Sequence, residues 1–178
     1  MINTRNTMDN AIEVVVEDDL WKNYDLETIA THAFTTIEQK LGLKTGPFEL
    51  DILACDDARI AILNAEFRAK PAPTNVLSWP SFDLNPDIAG QHPFAPPVEK
   101  HGDPFTHIGD IAIAYQTCMK EAKAGGITSQ HHITHLLIHG ILHLLGYDHE
   151  TDADAALMES LEIDLLASMG IGNPYQDV

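Results

Sequence analysis

The stretch HGILHLLGYDH, residues 139–149, constrains the fold more than any other part of the chain. It places His139, His143 and His149 around a single glycine, Gly146. His131, His135, His139 and His143 recur at every fourth position. On a helix each such step turns only about 40° and rises ~6 Å, so all four imidazoles share one face. His149 falls outside that row. On a continued helix it would lie roughly 9 Å beyond His143 and be rotated by about 240°. A glycine just past the last helical turn adopts φ > 0 and stops the helix. With Gly146 in that role, Tyr147 packs back on Leu142, and the chain turns to bring His149 under the same point as His139 and His143. The chain therefore has to build a helix over 129–145 and a tight reversal behind it.

A helical histidine pair, a glycine break and a third histidine form a metal-ligand set. A structural zinc takes four protein ligands, and Cys118 or His107 would have to supply the fourth. Three histidines with an open position are the pattern of a catalytic ion, and that is the reading preferred here. His131 and His135 read as neighbours or surface groups, because one ion does not span four helical turns. The ligand spacing matches the HExxHxxGxxH pattern of metzincin proteases, whose glutamate is the general base. Gly140 occupies that place, which argues against peptide hydrolysis and leaves room for close approach of another group. Three neutral imidazoles keep the full charge on zinc and lower the pKa of a bound water to about 7. Attack on a phosphodiester then needs charge neutralisation, from the ion and from Arg or Lys, more than a strong local base. Asp148, beside His149, has three open roles: orienting a histidine, accepting a proton, or capping a turn.

The remaining elements follow from periodicity. Strands are predicted over 12–18, 48–54, 74–80 and 107–114, and helices over 25–42, 56–68, 115–124, 129–145 and 152–169. The order βαβαββααα implies an α/β (α+β) fold: a mixed sheet of about four strands packed with helices, with the metal site on a helix of the C-terminal half. Residues 1–178 read as one domain. Residues 1–10 are polar and expected to fray. Residues 83–107 hold five of the ten prolines and three histidines, His92, His101 and His107, and read as a long irregular loop.

No apolar run approaches the ~20 residues of a membrane helix, and the N-terminus has no secretory-signal progression. Neither Cys55 nor Cys118 sits in a CxxC motif, which suits a reducing compartment, so a cytoplasmic location without membrane partners is expected. The formal net charge of −17 argues against a broad nucleic-acid-binding surface. No Lys or Arg follows Lys123, while Asp148, Glu150, Asp152, Asp154, Glu159, Glu162, Asp164 and Asp177 do, so the C-terminal third is expected to face solvent or a basic partner. Arg59, Arg68 and Lys70 cluster, which makes any phosphate contact local. Arg68, ending a helix before a proline-rich turn, suits bidentate phosphate binding or simply a cation at a helix C-terminus.

Two blocks carry a family resemblance. HGILHLLGYDH matches the HGxLHLxGYDH motif of the YbeY family of rRNA-maturation endoribonucleases throughout. LNAEFRAKPAPTNVLSWP (63–80) resembles that family's LNxxxR…PTDVLSFP block, and GDIAIA (109–114) follows in the expected order. The resemblance covers most of 12–169. It implies one zinc ion held by His139, His143 and His149, with Arg68 in the cleft. It also implies single-strand-specific endoribonuclease activity in small-subunit rRNA 3′-end maturation and ribosome quality control. Asn75 replaces the family's Asp, Trp79 replaces its Phe, and the 83–107 loop is longer, a lid or a ribosome contact. The acidity suggests that affinity comes partly from a basic ribosomal protein or a ribosome-associated GTPase. The alternatives are a ribosome-assembly binding protein with a mainly structural zinc, and another metal-dependent hydrolase.

Overall fold

The computed structural model describes residues 9–98 and 102–176. Its strands are β1 (Ala11–Val16), β2 (Phe48–Cys55), β3 (Val76–Pro80) and β4 (Thr106–Ala114). Its helices are α1 (Leu26–Leu41), α2 (Asp57–Arg68), α3 (Tyr115–Ala124), α4 (Ser129–Leu144) and α5 (Asp152–Ser168). The strands form one mixed sheet in the order β1-β2-β4-β3. The first three are parallel, and β3 runs antiparallel to β4 as an edge. The expected element order and mixed sheet are both present.

Local chemistry sets the ends of the helices. Asp25 caps α1 by accepting from Thr28 N at 3.1 Å, and Gly42 closes it at φ +64. Asp56 caps α2 through Arg59 N at 2.7 Å, and Thr128 caps α4 through His131 N at 3.2 Å. The face of α1 carrying Leu26, Ala30, Ala33, Phe34 and Ile37 is buried. Helix α4 is the central one. Ile133, Leu136, Leu137, Ile138, Ile141, Leu142 and Leu144 are buried on it, joining Leu50, Ile52, Ile111 and Ile113 of the sheet in one core. The histidine row is the stripe of α4 that the core does not take.

Close approach decides two glycines. At Gly109 (φ +144) β4 carries an extra residue relative to β2, and a Cβ would collide with the Trp79 carbonyl. At Gly140 a Cβ would meet Ile111 Cδ1 at 3.1 Å and Ser78 Oγ at 3.3 Å, and that hydroxyl donates to the Gly140 carbonyl. Gly140 thus lets α4 sit close on β3 and β4. The group that approaches it belongs to the sheet.

Three expectations need correction. Residues 1–8 lie outside the described residues, but Asn10 is tied down: its amide donates to Glu38 at 2.6 Å and its carbonyl accepts from Phe48 N at 2.7 Å. No element was expected between 18 and 25, yet a 3-10 turn, Asp19–Asn23, buries Trp21 completely, with its indole N–H donating to the Cys55 carbonyl at 2.9 Å. Glu162 does not face solvent with the other acids; it is fully buried on α5. Of the long loop, His101 lies outside the described residues. The first half of the loop folds over the corner between α4 and α5. There Phe94 N donates to the Leu84 carbonyl, and Gly90 N donates to Asp154 at 2.8 Å.

Candidate metal centre

The reversal after α4 is built as a Schellman turn. Gly146 N donates to the His143 carbonyl and Tyr147 N to the Leu142 carbonyl, both at 3.0 Å. Gly146 has φ +95, and a Cβ there would lie 2.8 Å from both Leu84 Cβ and Pro93 Cβ. Glycine is therefore required twice, by the backbone angle and by the loop resting on it. Tyr147 is buried, and its hydroxyl pairs with His92 Nδ1 at 2.9 Å. The chain then returns, and the His149 ring lies 5.6 Å from that of His139 and 5.1 Å from that of His143.

Hydrogen bonds orient two of the three imidazoles. His139 Nδ1 lies 2.5 Å from Glu162 Oε1, and His143 Nδ1 lies 2.9 Å from the Tyr147 carbonyl. Both partners are acceptors, so each Nδ1 carries the proton and each Nε2 presents a lone pair. Those two Nε2 atoms are 3.0 Å apart. Two lone pairs at that separation repel unless a cation lies between them. The donor atoms of all three histidines lie within 4.8 Å of one another. A tetrahedral ion with ligands at ~2.0–2.1 Å requires donors spaced about 3.3–3.4 Å apart, so the cluster fits a metal ion. Burial first, and then the neighbouring His139 and His149, together push the His143 imidazolium down to about 4, which keeps the ring neutral and able to bind metal.

Behind His139 stands Glu162. Burial alone would raise its carboxyl, but its contacts with His135, His139 and the Tyr175 hydroxyl outweigh that and hold it down to about 2. Tyr175, from the segment after α5, donates its hydroxyl to Glu162, and burial with that carboxylate raises the phenol well above its usual range. His135 Nε2 lies 3.5 Å from Glu162 Oε2. His131 is exposed at the start of α4. Neither therefore joins the cluster. Cys118 is buried in the main core, and His107 lies on the sheet in a separate group with Glu49 and Asp51. Among the described residues, neither supplies a fourth ligand.

The three-histidine cluster opens into a cleft of about 460 Å³. His139, His143, Asp148, His149 and Glu150 line it on one side, and Arg68, Thr74–Ser78 and Pro80 complete it. Arg68 is the last residue of α2. Asp148 accepts the His149 amide at 2.7 Å, so one carboxylate oxygen holds the turn. Asn75, where the resemblance expects Asp, donates to both oxygens of Glu121 at 3.2 and 3.0 Å. That carboxylate also takes His132 Nε2 at 2.7 Å. An aspartate at 75 would meet Glu121 with like charge, which accounts for the amide here.

Glu162 and Tyr175 escaped the sequence reading. A signal for the first does exist: Met158, Glu162 and Leu166 are four apart, so the acid occupies the buried stripe of its helix.

Comparison with known proteins finds relatives of this chain. The profile of the family described as endoribonuclease YbeY matches residues 12–170. The chain belongs to that family. The endoribonuclease YbeY of Dinoroseobacter shibae is 51% identical over 166 residues, covering 93% of this chain and 90% of that protein. Those of Ruegeria sp. and Jannaschia sp. are 49% and 48% identical over 164 residues, covering 92% of this chain and 95% and 99% of theirs. The solution structure of TM1509 from Thermotoga maritima shares the fold. Its TM-score is 0.52 at 17% identity, with 93% of this chain and 99% of that one covered. The YbeY match spans every strand and helix from β2 through α5, and so both walls of the cleft. Among the described residues no helix is long and apolar enough to cross a membrane.

Proposed function

We propose that this YbeY-family protein is a zinc-dependent, single-strand-specific endoribonuclease that matures the 3′ end of small-subunit rRNA and serves ribosome quality control. Family membership supports the reaction class, and one observation supports its location: three imidazoles converge in a cleft that also holds an arginine. His139, His143 and His149 are the ligands in this reading, and zinc is the ion that three neutral imidazoles in a tetrahedral arrangement suit. Bound there, such an ion supplies Lewis-acid polarisation and lowers the pKa of water.

The chain's own residues do the rest. Arg68 grips a non-bridging phosphate oxygen through its planar guanidinium and offsets the charge that builds in the transition state. Asp148 keeps one oxygen on the His149 amide and offers the other as a proton acceptor. The volume falls in the range of sites for small ligands, which suits nucleotide-sized groups rather than a duplex. Gly140 leaves no protease-type base, and its position is filled by contacts to Ile111 and Ser78. The net charge of −17 favours a basic ribosomal protein or a ribosome-associated GTPase as a further contact on the small subunit. A cytoplasmic location follows from that assignment.

The test is metal analysis of purified protein, followed by cleavage of single-stranded and duplex RNA with and without a chelator. His139→Ala is expected to lose both metal and cleavage. Undiminished cleavage by metal-free His139→Ala protein would overturn the proposal. Complementation by folded Arg68→Ala and His149→Ala variants separates catalysis from a purely structural role for the metal.

A further inference from the structure

Two aromatic rings stand beside the cleft and take no part in the metal centre. Phe67 precedes Arg68 at the end of α2 and is 61% exposed. Trp79 lies between Ser78 and Pro80, both of which line the cleft. Side chains alternate along a strand, so the indole projects to the opposite side of the edge strand β3. There the two rings meet edge to face, with centroids 5.3 Å apart and planes at 70°. Trp79 supports Phe67 from below and leaves much of the phenyl surface in water. Two cations flank the pair, Arg68 at the cleft and Lys70 two residues on. Neither side chain is held by an ion pair or hydrogen bond among the described residues. In a chain with net charge −17, an exposed aromatic ring beside two unpaired cations stands out.

We propose that Phe67, braced by Trp79, is a stacking platform for a nucleobase flanking the scissile phosphate, with Arg68 and Lys70 meeting the phosphates between. This rests on the endoribonuclease reading above and extends its substrate site past the cleft, over the edge of β3. The chemistry favours a single strand. An unpaired base offers a free π-face, whereas a base within a helix has already spent both faces on its neighbours. Every base has such a face, so the platform tolerates any sequence. Glu66 is the nearest carboxylate along the helix, and Asp110, opposite Trp79 on β4, is turned to His107 at 3.6 Å.

The test is abasic scanning. Short single-stranded oligoribonucleotides, each lacking one base in turn, are assayed for KM with the zinc-loaded, full-length protein. One flanking abasic position should raise the wild-type KM about tenfold. Phe67→Leu, which keeps an apolar contact to Trp79 but has no π-face, should raise KM for intact RNA and abolish that position's effect. Phe67→Tyr should retain the effect. Trp79 emission should be quenched on RNA binding and the signal lost in Trp79→Phe, because Trp21 is fully buried. Circular dichroism checks the fold of each variant. If wild type cleaves RNA but its abasic profile is the same in Phe67→Leu, the platform is wrong and the enzyme assignment stands. If wild type neither binds nor cleaves single-stranded RNA, both fail.

Discussion

Replacing Glu162 by glutamine removes one charge from the interior and nothing else of similar size. The carboxylate is fully buried, lies 2.5 Å from His139 Nδ1 and also faces His135 and Tyr175. Its surroundings lower the folded pKa from 4.5 to about 2. A shift of that size corresponds to roughly 3 kcal/mol of preference for the ionised form. Because the folded value lies below the unfolded one, the stabilisation is complete above about pH 4.5 and is lost as the pH falls toward 2. Glutamine still accepts from His139 but brings an amide N–H₂ to face Tyr175 and His135, so the imidazole is less firmly oriented and less basic. Metal affinity should fall about 10- to 100-fold, the usual cost of losing the partner of a ligand histidine. Metal-free protein should be destabilised at pH 7 by about 1–3 kcal/mol. Competition with a chromophoric chelator measures the first, and urea unfolding of metal-free protein at several pH values measures the second. The gap between wild type and variant should narrow below pH 4.5, as wild-type Glu162 takes up its proton. Equal metal affinity, together with a gap that does not vary with pH, would refute the assigned role of Glu162.

Gly146→Ala combines a φ of +95 with a Cβ held 2.8 Å from Leu84 and Pro93. It should cost about 2 kcal/mol or more in urea unfolding and weaken metal binding, because the turn that returns His149 is displaced. Gly140→Glu restores the protease pattern on paper, but even its Cβ would press on Ile111 and Ser78. The expected result is a loss of stability of about 1–3 kcal/mol and no activity on a panel of peptide substrates; gain of peptidase activity would overturn the account of that glycine.

Much of the centre was legible in the chain because its rules are local. The four-residue histidine spacing and the break at Gly146 depend on neighbours a few residues away, and each appears where periodicity and backbone preference put it. Arg68 at the cleft was legible differently, through the match of its block to a known motif; helix position alone leaves it an ordinary terminal cation. The acidic C-terminal third misled the reading at Glu162. Charge count treats all carboxylates alike, whereas the 158–162–166 stripe marks this one as facing inward.

What the sequence determined by itself is the helix, its stop and the three donors it brings together, since each follows from torsion angles and periodicity over a single segment. Tertiary structure alone decided what those donors meet. Glu162 reaches His139 from another helix, Tyr175 reaches Glu162 from beyond it, and residues 84 and 93 press on Gly146 from a loop far earlier in the chain. It also decided why Gly140 is a glycine, because only the packed sheet brings Ile111 and Ser78 against it. Such contacts join residues far apart in the chain, and a pattern read along one segment states which face a residue occupies but not what stands opposite it.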